Sequence, residues 1–479
     1  MEREPNSSLR AGIVKTVLAY GAMVAATLLI FFLIRAIGVD LAAPDIPGGS
    51  GFGATATNAK GHLILHVLLA LLVVILASRA LGAVFRYLHQ PPVIGEVIAG
   101  ILLGPSLLGR LWPGASAYLL PDTLSPILGV LAQVGVILYM FLVGLELDSN
   151  VLRQKTHTTV AISHASIVAP FLLGSVLALW LYPKLSSSDI PFTSFALFMG
   201  VSMSVTAFPV LARILTDRGI QKTRLGVIAL TCAAIDDVTA WCLLAFVVSV
   251  AQSQAGNALL TVGMTIAYIA LMFVVVRPLV HRVLLKQEVR KRLTQGTTAF
   301  VFIALLVSSL ATEFIGIHAV FGAFLLGAVI PHDSMLAKDI TRKLEDLVLV
   351  LLLPAFFAFT GMRTQIGLVN GLEQWLICLI IIVVACLGKF GGTTMAARLT
   401  GLDWRDSASL GILMNTRGLM ELIVLNIGLD LKVISPVLFA MMVLMALITT
   451  LATTPLLHLF TRGRLNEEAA LQVAQSGLK

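Results

Sequence analysis

The sequence predicts an all-α polytopic membrane protein with about fourteen transmembrane helices. Three observations lead there. Of 479 residues, 58% are hydrophobic and 12% are charged, about half the ~25% charge of ordinary soluble domains. The mean hydropathy is +0.96 over the whole chain, which leaves no room for a large soluble domain. Apolar runs of the ~20 residues that cross a bilayer recur throughout, separated by charges or by Pro and Gly.

The first run, 11–36, is too long for a signal h-region and lacks a small-residue cleavage site, so it reads as a retained helix. The Gly-, Ala- and Pro-rich stretch after it, to Gly61, reads as a flexible outer connector. Runs 62–88, 92–109 and 125–147 follow. The middle one is short, carries Glu96, and holds Gly100 and Gly104 at a spacing that serves helix packing. Next come 156–182, 191–216, 223–253 and 258–285. Then 297–314, 317–332 and 343–363 follow, of which 317–332 is short and 343–363 opens on charges. Runs 371–398, 406–428 and 434–460 complete the set. A short cytoplasmic tail, 461–479, is expected, with no nucleotide-binding domain in it.

Loop charges test this alternation. With the N-terminus placed in the cytoplasm, 24 of the 33 Lys and Arg residues fall in inner segments and 6 in outer ones, the bias of cytoplasmic loops. Both termini are expected inside. The same bias accounts for the net charge of +8 without invoking nucleic acid. Cys232, Cys242, Cys378 and Cys386 lie in apolar runs with no CxxC pair. Buried free thiols are expected, with no disulfide framework, metal cluster or cofactor. There is no Gly-x-x-x-x-Gly-Lys-Ser/Thr loop for ATP-driven pumping, and enzymatic activity is not expected.

Charges inside the apolar runs carry the functional argument, because each costs roughly 2.5–3.5 kcal/mol at mid-membrane on the insertion scale. Asp236 and Asp237 are central in 223–253, Lys389 in 371–398, and Arg417 and Glu421 in 406–428. Neighbours on a helix point about 100° apart. One aspartate can therefore meet a wet cavity while the other meets a protein partner. Such a carboxylate holds a proton or a bare cation, not both, and competition with alternating access suffices for exchange. Lys389, in Cys386-Leu-Gly-Lys-Phe-Gly-Gly392, supplies a counter-charge, and its glycines permit close helix approach. Arg417 and Glu421 are four apart and can pair. Two stretches read as helix breaks. Asn415-Thr416-Arg417-Gly418 is one. Ser204-Val-Thr206-Ala-Phe-Pro209 is the other, where Pro209 removes a donor and disfavours helix at Phe208, and Thr206 offers a hydroxyl. One break in each half of the chain is the mark of an inverted-repeat transporter with a midplane site. Glu313 and His318 flank a short outer turn and receive no role. His62 and His66, four apart, read as interfacial packing.

The stretch Pro91-Pro-Val-Ile-Gly-Glu-Val-Ile-Ala-Gly-Ile-Leu-Leu-Gly-Pro105 resembles the opening signature of the monovalent cation:proton antiporters, in the branch with plant cation/proton exchangers and glutathione-gated potassium efflux systems. So do Phe141-Leu-Val-Gly-Leu-Glu-Leu-Asp148, Ser204–Arg213, Ile235-Asp-Asp237 and Asn415–Leu422, in the expected order across 62–460. The resemblance implies an inverted-repeat sodium/proton-antiporter fold of thirteen helices, here with one extra N-terminal helix in residues 1–61. It implies scaffold and dimer helices in 62–147 and 297–363, a linker helix at 258–285, and a mobile core from 156–253 and 371–460. By motif, Asp237 matches the family's ion-binding aspartate, Asp236 the residue before it, and Lys389 the basic residue that pairs with it. A homodimer moving its core like an elevator is also implied. The Asp-Asp pair departs from the Gln-Asp of gated efflux systems.

The expected activity is exchange of Na⁺ or K⁺ for H⁺ across a plasma (inner) membrane, with Asp237 transiently holding the cation. Asp236 and Lys389 would be coupled charges, and Thr206 with freed carbonyls would add oxygen ligands. An ungated or ligand-gated potassium efflux protein of the same fold, and a non-transporting membrane sensor, stay open as alternatives.

Overall fold

The computed structural model describes residues 6–38, 41, 63–146, 157–221, 223–252, 258–288 and 295–461. Asp148, His62, most of the outer connector and the tail after Thr461 lie outside them. Every extended element among the described residues is helical.

In chain order the main helices are α1 (Asn6–Gly38), α2 (Leu63–Tyr87), α3 (Pro92–Leu103), α4 (Ser125–Glu146), α5 (His157–Leu185), α6 (Phe192–Ser204), α7 (Phe208–Asp217) and α8 (Arg224–Gln252). They continue with α9 (258–288), α10 (Gln295–Ile315), α11 (Ala319–Val329), α12 (335–363), α13 (Gly371–Leu399), α14 (Trp404–Met414), α15 (Leu419–Asp430) and α16 (Pro436–Thr461). Helices α9, α12 and α13 each contain one π-helical turn, at Met272–Val276, Val348–Leu352 and Leu387–Gly391.

Eleven helices among the described residues are long and apolar enough to cross a membrane, or twelve if the bent pair α14 and α15 forms one span. By length and composition alone the expected count of about fourteen is not confirmed. Run 191–216 is divided into helices of 13 and 10 residues. Run 317–332 gives only the 11 residues of α11. Its N-cap residue is His318, whose φ is 65°, and a residue of the preceding helix adds to the cap: the Glu313 carboxylate accepts the Ala319 N–H at 2.8 Å. Glu313 thus has a helix-capping part that the sequence reading did not assign.

Two packing groups organise the helices. In one, α3 packs on α2 and α12, α4 on α11 and α12, and α10 on α11. In the other, α5 packs on α6, α8 and α13, while α14 and α16 close against each other and against α13. Helix α9 touches α8 on one side and α10 and α11 on the other. The extra helix α1 lies on α5 and α6, with the Phe31 and Phe171 rings 5.9 Å apart. A Cβ at Gly100 would stand 2.1 Å from the Ala358 carbonyl oxygen, so the expected close packing there is between α3 and α12.

The thiols depart from expectation at one position. Cys232 and Cys378 are buried and Cys386 is half-buried, but Cys242 is exposed on α8. A small apolar thiol needs no burial where the helix surface faces lipid.

Candidate ion-binding site

Both predicted breaks are present, and they touch. Helix stops at Ser204 and resumes at Phe208; it stops again at Met414 and resumes at Leu419. The Ala207 N–H donates to the Thr416 carbonyl at 3.0 Å, so each interruption satisfies part of the other. Pro209 acts differently from the expectation. Phe208 is helical, and Pro209 sits in the first turn of α7, where its missing N–H would have had no helical partner anyway.

A broken helix leaves its last carbonyls without intrahelical donors. Buried cations take them here. The Arg417 guanidinium donates to the Met203 carbonyl at 2.8 Å and to the Ser202 carbonyl at 3.2 Å. The Lys389 ammonium donates to the Ser204 carbonyl. Arg417 also reaches the Glu421 carboxylate at 3.3 Å, and both side chains are fully buried. The Thr450 hydroxyl on α16 accepts the Arg417 N–H at 3.0 Å and donates to the Arg417 carbonyl at 2.6 Å. Helix-terminal carbonyls carry partial negative charge, so these cations are matched to local dipoles as well as to carboxylates.

The two aspartates have opposite surroundings. Asp236 receives the Ser163 hydroxyl on Oδ1 at 2.5 Å. Its Oδ2 receives the Ser166 hydroxyl at 2.5 Å, the Thr206 hydroxyl at 2.9 Å and the Lys389 ammonium at 3.3 Å. Asp237, equally buried, has no hydrogen-bond partner on either oxygen. Its carboxyl feels the Phe208 backbone N–H, the Asp236 charge and the Lys389 charge. Motif matching placed Lys389 against Asp237; the ammonium instead bonds Asp236. Thr206 likewise bonds Asp236, with only a 3.5 Å contact to the freed Met414 carbonyl.

Lys389 reaches this depth because α13 lies tightly on α5. A Cβ at Gly388 would sit 2.7 Å from Pro170 Cα, and one at Gly392 would sit 2.6 Å from Ala169 Cβ. The π-helical turn around Lys389 adds a local bulge of the kind common at functional sites.

A cavity of about 310 Å³ opens between the two packing groups, lined by Glu96, Tyr139, Glu146, Val210, Arg213 and Glu345 among others. Tyr139, a lining residue, is within electrostatic range of Asp237. A second cavity, of about 380 Å³, lies on the far side of the same helices and includes Val136, Phe356, Arg363, Ile423, Asn426 and Asp430. Along α4 and α15 the two cavities end within about one helical turn of each other, between Val136 and Tyr139 and between Leu419 and Ile423, and along α12 their linings meet at Phe356 and Phe357.

The family model for the transmembrane sodium/hydrogen exchangers matches residues 67–460. The chain belongs to that family. Among the chain's relatives, the Na⁺/H⁺ antiporter NhaS4 of Synechocystis is 45% identical over 82% of this chain and 97% of its own length. Cation/H⁺ antiporter 20 of Arabidopsis thaliana is 39% identical over 80% of this chain, and K⁺/H⁺ antiporter 1 of Saccharomyces cerevisiae is 33% identical over 86%. The chain spans about half the length of those two, 47% and 48%. The fold is shared with the sodium proton antiporter MjNhaP1 of Methanocaldococcus jannaschii, at a TM-score of 0.61 and 15% identity, over 85% of this chain and 98% of that one.

The fold thus brings Asp236, Asp237, Thr206, Lys389, Asn415, Thr416, Arg417 and Glu421 around one crossing of interrupted helices. Asn415 is half-buried and donates to the Cys386 sulfur at 3.5 Å. Ser163, Ser166 and Thr450 join the cluster without having been singled out. Their signal was faint: hydroxyls spaced i, i+3 on one face of an apolar helix are common for packing reasons alone.

Proposed function

We propose that this chain exchanges Na⁺ or K⁺ for protons by alternating access, with Asp237 as the carboxylate that holds either the cation or the proton. One observation carries the reading. Both buried oxygens of Asp237 lack hydrogen-bond partners, while its neighbour Asp236 is saturated. A buried carboxylate with only the Phe208 backbone N–H acting on it as a donor is costly to keep ionised, so it favours a species that supplies positive charge. A proton and a dehydrated monovalent cation are the two candidates, and they exclude each other there. The acidic lining at Glu96, Glu146 and Glu345 would favour cation entry.

By the loop-charge bias, the cavity holding Arg213 faces the cytoplasm, and the termini lie on that side of a plasma membrane. The group of α5–α8 and α13–α16 would move against the other group, in a homodimer. Asp236 and Lys389 act as a coupled charge pair beside the exchanging residue, and Thr206 orients Asp236.

The test is proton flux in sealed proteoliposomes after addition of Na⁺, K⁺ or Li⁺. Wild type should alkalinise or acidify the lumen according to the imposed gradient. Asp237→Asn should abolish the response, and Lys389→Ala should change its pH profile. Cation flux in wild type without proton exchange would favour a potassium efflux protein. Unchanged flux in Asp237→Asn would reject the mechanism.

A further inference from the structure

We propose that Gln90 is a positioning residue of the exchange cycle, whose side-chain amide holds the Leu451 carbonyl of α16 and latches the two packing groups in the arrangement described. This rests on the alternating-access reading given above, and it adds a contact that must let go when one group moves past the other.

The acceptor is created by the sequence of α16. Pro455 lies inside that helix. It has no N–H, so the carbonyl four residues earlier, on Leu451, loses its helical donor. A carbonyl freed within a membrane helix has to be met by another group. The Gln90 Nε2 meets it, at 3.3 Å. That donor comes from the other packing group: Gln90 lies in the turn between α2 and α3, 361 positions earlier in the chain.

The turn fixes where Gln90 stands. His89 takes a φ of 57°, the left-handed position that glycine usually fills at a helix end. Its N–H donates to the Arg86 carbonyl at 3.0 Å, and the Gln90 N–H donates to the Phe85 carbonyl at 2.8 Å, the paired bonds of a Schellman cap. Pro91 and Pro92 follow and set the next two φ angles. Both prolines line the cavity that holds Arg213, so Gln90 stands beside that cavity. On the acceptor side, Leu451 directly follows Thr450, whose hydroxyl bonds the Arg417 N–H and carbonyl in the second break. Neighbouring residues of α16 therefore serve the latch and the crossing of interrupted helices.

The contact is weak enough to open in each cycle. A neutral amide-to-carbonyl bond has a small net worth. The other end of the amide, Gln90 Oε1, is buried with no hydrogen-bond partner, which offsets part of that worth. Such a bond favours one arrangement without freezing it. The link from Arg363 to Asp430 joins the same two groups on the side away from Arg213, so the described arrangement is held on both sides. Loss of the Gln90 bond depopulates the arrangement in which the Arg213 cavity is open.

The experiment measures labelling by a membrane-permeant maleimide in proteoliposomes, in a background with the four native cysteines replaced. One reporter is Leu349→Cys, in the cavity with Arg213, and the other is Ile423→Cys, in the cavity on the far side. Gln90→Met keeps the length of the side chain and removes the donor. It should slow labelling at position 349 and speed it at position 423, each by about two- to tenfold. The melting temperature should stay nearly the same, because the variant strands the Leu451 carbonyl but removes the unpaired Oε1. Pro455→Ala returns an N–H to the Leu451 carbonyl from within α16, so it should move both rates in the same directions. Adding Gln90→Met to Pro455→Ala should then change little. Wild-type rates in Gln90→Met would overturn the latch. So would rates that rise at both positions, which mark a general loosening, or effects of the two variants that add in full. If Pro455→Ala does not fold, Gln90→Met decides alone. Proton flux in Asp237→Asn tests the exchange reading separately. Unmoved labelling with Asp237→Asn inactive would overturn the latch and leave that reading standing, whereas flux surviving in Asp237→Asn would overturn the role of Asp237 and leave the latch to the labelling rates.

Discussion

At the residue scale, Asp236 and Asp237 should respond oppositely to the same chemical change. Replacing Asp236 by Asn removes the charge that faces a fully buried ammonium, and breaking one side of a buried pair costs about 3–5 kcal/mol. Asp236→Asn should therefore lower the melting temperature of the purified protein in detergent. Asp237→Asn removes a carboxylate whose oxygens have no partner, so its melting temperature should be unchanged or higher, with flux lost. Thermal unfolding of the two variants side by side separates a structural acid from a working one. The pair Asp236-Asp237 was legible in the sequence as functional, because adjacent acids mid-helix are too costly to be idle. Which acid bonds Lys389 was not legible: that depends on how α13 is rotated and how deeply Gly388 and Gly392 let it approach α5.

At the scale of elements, the broken helices are held by cations and not by proline. Pro209→Ala should leave the break in place and flux near wild type, since position 209 makes no demand for a proline-specific interruption. Arg417→Ala should be severe. It strips donors from the Ser202 and Met203 carbonyls and leaves Glu421 uncompensated. A loss of about 3–5 kcal/mol is expected from the unpaired buried carboxylate, read as loss of folded yield or melting temperature. Arg417→Lys should recover little, because one ammonium cannot reproduce a planar fork that serves two carbonyls and a carboxylate. The break motifs themselves were visible as Asn415–Gly418 and Ser204–Pro209. Their contact, Ala207 to Thr416 across more than two hundred residues, was not, because local patterns carry no long-range register.

At the scale of the molecule, a polar link joins the two packing groups on the side away from Arg213. Arg363 on α12 reaches Asp430 on α15 at 2.6 Å and Asn426 at 3.0 Å, and Asn426 in turn donates to Thr360 at 2.8 Å. If α15 slides against α12 during transport, this link must open in every cycle. Arg363→Gln should therefore speed thiol labelling of a cysteine placed at Ile423, which lines the adjacent cavity, in a background with the four native cysteines replaced. A labelling rate equal to that with Arg363 intact would argue against a moving boundary there.

The sequence by itself determined the solvent and the order of the chain: an all-helical membrane protein, broken once in each half, with a handful of charges where lipid forbids them. Those properties follow from local hydropathy and from the cost of burying charge, which each segment carries wherever it is placed. Only the tertiary structure decided the pairings. Asp236 became the saturated acid and Asp237 the open one because α5, α8, α13 and the two breaks converge at one point, and hydrogen bonds depend on ångström distances between segments that the linear order keeps far apart.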